Sequence, residues 1–138
     1  MKDKVTVQLT GIHTRAGSRS ERIETKAEGS CRTLPDGYEI VYEDRSAGEK
    51  DSITNTLRIC SGRLEMIRSG AYGSHMIFEE ENEHHTDYRT PYGVMDMVIR
   101  TDRLVIAEKQ DGIRVETEYT LEMNGQELSQ SLIVLEIA

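Results

Sequence analysis

From Ile113 to Met123 the chain alternates at every second residue. Ile113, Val115, Thr117, Tyr119, Leu121 and Met123 fall on one side, and Arg114, Glu116, Glu118, Thr120 and Glu122 on the other. Only an extended strand buries one of these sides and wets the other, because a helix would spread the same residues around its circumference. The pattern recurs. Val5, Val7 and Leu9 alternate with Thr6, Gln8 and Thr10; Ile53, Asn55, Leu57 and Ile59 with Thr54, Thr56 and Arg58; Leu64, Met66 and Arg68 with Glu65 and Ile67. Leu132 to Ile137 is nearly continuously apolar, as expected of a strand covered on both faces.

Turn-forming residues punctuate these segments at short intervals. They are Ala16-Gly17-Ser18, Pro35-Asp36-Gly37, Ser46-Ala47-Gly48, Ser61-Gly62, Gly70-Ala71-Tyr72-Gly73, Glu81-Asn82-Glu83, Asp111-Gly112 and Asn124-Gly125. Each supplies the positive backbone angles or local hydrogen bonds that a hairpin reversal needs. No segment carries a helical period, no repeat appears, and no low-complexity linker divides the chain. About eight to ten consecutive antiparallel strands remain. One open sheet that wide leaves two unpaired edges and an uncovered apolar face, so the all-β chain is expected to close into an up-and-down antiparallel barrel. A two-sheet sandwich is the alternative. A single domain over residues 1–138 suffices, since a chain of that length buries roughly two-thirds of the surface it exposes when unfolded.

Composition narrows the function classes. A net charge of −8 argues against a nonspecific nucleic-acid binder, whose phosphate attraction needs a basic surface. The imbalance is uneven, +1 over residues 1–69 and −9 over residues 70–138, so one side of the barrel is expected to be acidic. No apolar run approaches the roughly 18 residues that cross a bilayer, and the first residues lack a signal-peptide pattern, so a cytoplasmic protein without a membrane partner is expected. Cys31 and Cys60 lie outside any C-x-x-C spacing and read as free buried thiols.

The fragments GYEIVYED (37–44), LEMIRSG (64–70) and DYRTPYGVMDMVIRTDRL (87–104) resemble, in order and spacing, the YwiB-like family of uncharacterised bacterial proteins. Matching positions include Tyr42, Glu43, Arg68, Gly70, Tyr88, Thr90, Pro91, Tyr92 and Gly93. The resemblance implies a calycin barrel, similar in architecture to lipocalins and fatty-acid-binding proteins, without an established activity.

Arg68 stands out because it shares the apolar side of its strand with Leu64 and Met66, where a guanidinium needs a partner. Either it points into the barrel and binds a carboxylate or phosphate, or it pairs with a carboxylate such as Glu43 or reaches water at the mouth. Tyr42, Tyr88, Tyr92 and Tyr119 combine apolar rings with hydroxyl handles, which suits either a ligand cavity or an aromatic core in a chain without Trp. His75, His84 and His85 lie near Glu79, Glu80, Glu81 and Glu83, but adjacent strand residues face opposite ways, so no metal site is expected. A three-residue loop at Glu81–Glu83 sets His84, Thr86 and Tyr88 beside Met76 and Phe78, the register that buries a tyrosine instead of charges. Thr90-Pro91-Tyr92-Gly93 is expected to form a bulge or corner. No nucleophile elbow, phosphate-cradling loop or dinucleotide fingerprint is present. The expected function is therefore binding of a small anionic or amphipathic ligand inside the barrel by Arg68, Tyr42, Tyr88, Tyr92 and Tyr119, with no catalytic residue and no cofactor. The alternative is an interaction protein with a filled barrel, working as a homodimer or through its acidic half or the Arg15, Arg19 and Arg22 segment. An enzyme with Arg68, a tyrosine and a histidine at the mouth ranks third.

Overall fold

Every alternating segment forms a strand. The computed structural model describes residues 2–15, 20–44, 53–70 and 73–138. The turn signals at 16–18 and 46–48, Arg19 and the pair Ala71-Tyr72 lie outside the described residues. The strands are β1 (Lys4–Thr14), β2 (Glu21–Leu34), β3 (Gly37–Asp44), β4 (Ile53–Cys60), β5 (Arg63–Ser69), β6 (Ser74–Phe78), β7 (Glu83–Thr90), β8 (Gly93–Lys109), β9 (Gly112–Met123) and β10 (Gln126–Ile137). No helix occurs among the described residues, so none is long and apolar enough to cross a membrane.

All ten strands belong to one antiparallel sheet in the order β6-β5-β4-β3-β2-β1-β10-β9-β8-β7. A continuous sheet excludes the two-sheet sandwich. Each strand pairs with its sequence neighbours, and β1 pairs with β10 from Val7↔Ile137 to Thr14↔Gln130. Among the described residues, the ends of the order, β6 and β7, are joined by one bridge, in which the Arg89 N–H donates to the carbonyl of Gly73, just before β6, at 2.9 Å. The result is a nearly closed up-and-down barrel with a single incompletely paired seam.

The inward faces are those the alternation assigns. Val5 and Val7, Ile40, Leu57 and Ile59, Leu64, Phe78, Ile99, Ile113 and Val115, and Leu135 and Ile137 are buried and pack from opposite walls. Phe78 meets Tyr119 edge-on, with ring centroids 4.9 Å apart, although their strands do not pair. Each such side chain contributes about 1.5–3 kcal/mol through burial. These residues fill the middle and the end of the barrel where Gly37, Cys60, Phe78, Gly112 and Ile137 lie, called here the lower end. At that end the Tyr38 hydroxyl, on β3, donates to Glu108 Oε1 at 2.7 Å, spanning from β3 to the non-adjacent β8.

Three local expectations change. Thr90–Gly93 is a complete hairpin rather than a bulge within one strand: Thr90 pairs with Gly93, and the Thr90 hydroxyl accepts the Tyr92 N–H. Proline's fixed φ and the positive φ of Gly93 suit that reversal. Leu132, Val134 and Glu136 are half-buried on the outer side of β10, so that strand is covered on one face only. Its outer apolar residues lie beside the Arg114–Glu136 pair instead of beneath a second layer. The β6–β7 connection runs over Glu79–Asn82, with Glu83 already in β7, and the less exposed residues of β7 are His84, Thr86, Tyr88 and Thr90.

Gly112 starts β9 where the backbone of β10 crosses it, and a Cβ there would overlap the Ile137 carbonyl. Gly112→Ala is therefore expected to lower stability by about 2–4 kcal/mol, read as a lower urea midpoint at unchanged slope. A loss below about 0.5 kcal/mol would show that the backbones are not in such close approach.

Candidate functional site

The register that forms the barrel also lines up a polar row inside it. The two-residue turn at Pro35-Asp36 sets Gly29 opposite Tyr42 and the one at Ser61-Gly62 sets Asn55 opposite Arg68; the β3–β4 ladder pairs Tyr42 with Asn55, and Arg68 faces Ser74 on β6. All five positions point inward, near the upper end. Gly29 leaves the space this needs, because a Cβ there would sit 2.9 Å from the Val41 carbonyl and 3.3 Å from Tyr42 Cβ. Tyr42, Asn55 and Ser74 are buried, and Arg68 is half-buried.

The Nε of Arg68 is shielded from solvent and has no hydrogen-bond partner. Glu43 does not pair with it, since Glu43 points to the outer side of β3 opposite Thr54, one residue out of the row. Burial and the nearby Asp44 carboxylate push the Tyr42 phenol up to about 12, while the Arg68 guanidinium pulls it down, so these groups feel one another. Among the described residues Asn55 makes only a long contact, 3.5 Å, to the Ile53 carbonyl.

The opposite wall carries a second polar row, His13, Ser131, Tyr119 and Thr101, aligned across β1, β10, β9 and β8. His13 Nδ1 lies 2.7 Å from the Ser131 hydroxyl, and Ser129 lies 3.2 Å from the same oxygen. Burial raises Tyr119 to about 12, partly offset by its hydrogen bond with Ser131. The Thr101 hydroxyl is buried without a partner. Thus polar side chains reach the upper end on both walls, at Asn55, Arg68 and Ser74 on one and His13 and Ser131 on the other, while Tyr119 and Thr101 lie nearer Phe78.

A cleft of about 280 Å³ opens beside the first row, at the seam. Its inner side is lined by Arg68, Ser74 and Thr86, and its outer side by His75, Asp87 and Arg89. Of the tyrosines expected as ligand contacts, Tyr42 and Tyr119 are buried inside and Tyr88 packs half-buried against the core. Tyr92 is corrected: at 95% exposure it projects from the β7–β8 turn and lines no interior surface. A turn position two residues beyond the last inward residue of β7 has no wall to point through.

The histidines do not converge. His75 faces Glu65 at 3.1 Å, His84 lies 2.9 Å from Glu79 without hydrogen-bond geometry, and His85 is exposed. Among the described residues no three His, Cys, Asp or Glu side chains could hold a metal ion. Cys31 and Cys60 are free but half-buried rather than buried, and partial burial raises both thiols.

Comparison with known proteins places this geometry in context. The family described as "Domain of unknown function (DUF1934)" matches residues 7–135. The crystal structure of the ywiB protein from Bacillus subtilis is similar with a TM-score of 0.78 and 17% identity, over 99% of this chain and 94% of that one. At that identity the likeness bears on the fold alone. No curated protein matches.

The tyrosine environments predict a pH dependence. Tyr42 and Tyr119 hold their protons to about pH 12 in the fold, whereas the unfolded chain releases them near 10. Stability from this source is therefore complete below pH 10 and falls as pH rises towards 12. Urea midpoints measured across that range should decline, and Tyr42→Phe should flatten the decline. An unchanged profile in the variant would remove Tyr42 as a cause.

Proposed function

The chain belongs to the family described as "Domain of unknown function (DUF1934)", and from that premise we propose that it is a cytoplasmic, calycin-like binding protein that holds a small anionic or amphipathic ligand at the upper end of its barrel. Arg68 is the anchor. The observation that carries this reading is the Arg68 Nε, shielded and unpartnered on an inward-facing position. Leaving such a donor unsatisfied costs about 1–3 kcal/mol, a cost a ligand oxygen would remove. Asn55 and Ser74 flank Arg68 in the row, Tyr42 lies one strand beyond Asn55, and Tyr88 offers a half-buried ring for a ligand's apolar part. The packed lower interior limits the ligand to the size of the upper cleft. The role is binding without a chemical step, and the net charge of −8 favours neither nucleic acid nor an anionic membrane as partner.

A second reading has its own support. Contact between Phe78 and Tyr119 across the interior means much of the barrel is already filled, as an interaction protein or homodimer would have it. Tyr92 and Val94 at the β7–β8 tip would then supply exposed apolar contacts.

Native mass spectrometry of the protein purified gently from its own host separates the two. The binding reading predicts a retained small molecule that is absent from Arg68→Met. The same variant should unfold at a urea concentration equal to or above the parent's, because it removes an uncompensated buried donor, at a gain of about 0–2 kcal/mol. A clean apo mass at dimeric size, together with an Arg68→Met variant destabilised by more than about 2 kcal/mol, would favour the filled barrel and assign Arg68 a structural role.

A further inference from the structure

The arginines of the barrel divide into two groups. Arg58 pairs with Glu39, Arg63 with Glu65, Arg100 with Asp102, Arg103 with Glu116, and Arg114 with Glu116 and Glu136. Among the described residues from β4 to β9, only Arg68 and Arg89 form no ion pair, and both line the cleft at the β6–β7 seam. One approaches it from inside the barrel and the other from outside.

We infer that this cleft takes a phosphate-class anion, either free phosphate or the phosphate group of a small monoester, held between Arg68 and Arg89. The inference rests on the Arg68 reading and narrows its ligand to one chemistry. Ser74 and Thr86 add hydroxyl donors to the two guanidinium forks, so donors line both the inner and the outer side of the cleft, as suits a tetrahedral anion with several acceptor oxygens. A carboxylate has only two oxygens, and one fork would satisfy both. His75 is turned to Glu65, which leaves Asp87 as the one opposing charge among the described residues of the cleft and a net excess of one positive charge among them. Apart from Arg68, the cleft is lined by residues of the stretch 70–138, which carries −9 overall.

Access follows from the topology. Among the described residues the seam has a single bridge, Gly73↔Arg89, where every other adjacent pair of strands has a ladder. Arg68 is therefore reachable through the wall, and the packed lower end plays no part in entry. At about 280 Å³ the cleft lies near the lower limit of small-molecule sites, which suits phosphate or a short monoester and excludes a lipid tail.

The test is an NMR titration of the full chain at constant ionic strength, with inorganic phosphate, glycerol 3-phosphate and acetate as probes. Phosphate or the monoester should shift the Gly73 and Ser74 amides and the Arg68 Nε–H signal, and acetate should bind at least about ten-fold more weakly. Arg89→Gln, an exposed and fold-neutral change, should weaken phosphate binding about ten-fold at an unaltered urea midpoint. Tighter binding of the monoester than of phosphate assigns an organic ligand; equal binding assigns free phosphate. Acetate binding as tightly as phosphate, no effect of Arg89→Gln, or no shift at the seam would overturn the phosphate inference. In that event a small molecule still retained through Arg68 in the native mass leaves the broader binding reading standing, and its absence removes both.

Discussion

Pairing between β1 and β10 is the interaction on which the barrel depends. Without it the chain would form two separate meanders, β1 to β6 and β7 to β10, each with an inner apolar face exposed. The pairing joins residues such as His13 and Ser131, 118 positions apart. Closing so long a loop costs only modestly more than closing a short one, because the entropy grows with the logarithm of length. The cost falls on kinetics instead: no core can enclose Phe78 and Tyr119 until both meanders have formed and docked, which is characteristic of slow-folding, high-contact-order β proteins.

Once closed, the barrel has unequal ends. Leu57, Leu64, Phe78, Val115 and Leu135 give the lower and middle interior the density of an ordinary core, and the Tyr38–Glu108 hydrogen bond ties β3 to β8 below them. The upper interior holds Asn55, Arg68, Ser74, Ser131 and His13, on rows that register alone brings together. A chain selected only for stability would replace this layer with apolar side chains of similar volume. Its polar character is the physical reason to look for function at that end, and the incomplete seam supplies the opening.

The strands and their inward faces were legible in the alternation, because a period of two has no competing helical interpretation over segments such as Ile113–Met123. Arg68 was legible for the same reason, as a charge on an apolar side. Its direct cross-strand partners, Asn55 and Ser74, were not singled out, although Asn55 is a comparable anomaly among Ile53, Leu57 and Ile59, and the two-residue turn at Ser61-Gly62 places it opposite Arg68. Ser129 and Thr101 were beyond reach: both adjoin register shifts, at Glu127/Ser129 and Thr101/Arg103, and a bulge leaves no mark in the side-chain pattern. Tyr92 was misplaced because Thr90–Gly93 contains only two residues between strands, and a corner and a reversal have the same composition. The cleft depends on β6 and β7 meeting at one bridge, a consequence of closure geometry that no local segment encodes.

The antiparallel β1–β10 ladder also determines how the barrel bears load. Val7 and Ile137 are opposite one another, so the two ends of the chain leave the ladder side by side at the lower end. Tension between them pulls along the hydrogen bonds and opens them one pair at a time, like a zipper, instead of shearing the whole ladder together. The closed barrel would thus yield to modest force applied where β1 and β10 leave the ladder, with the seam, on the far side of the barrel, bearing none of it until the zipper has run.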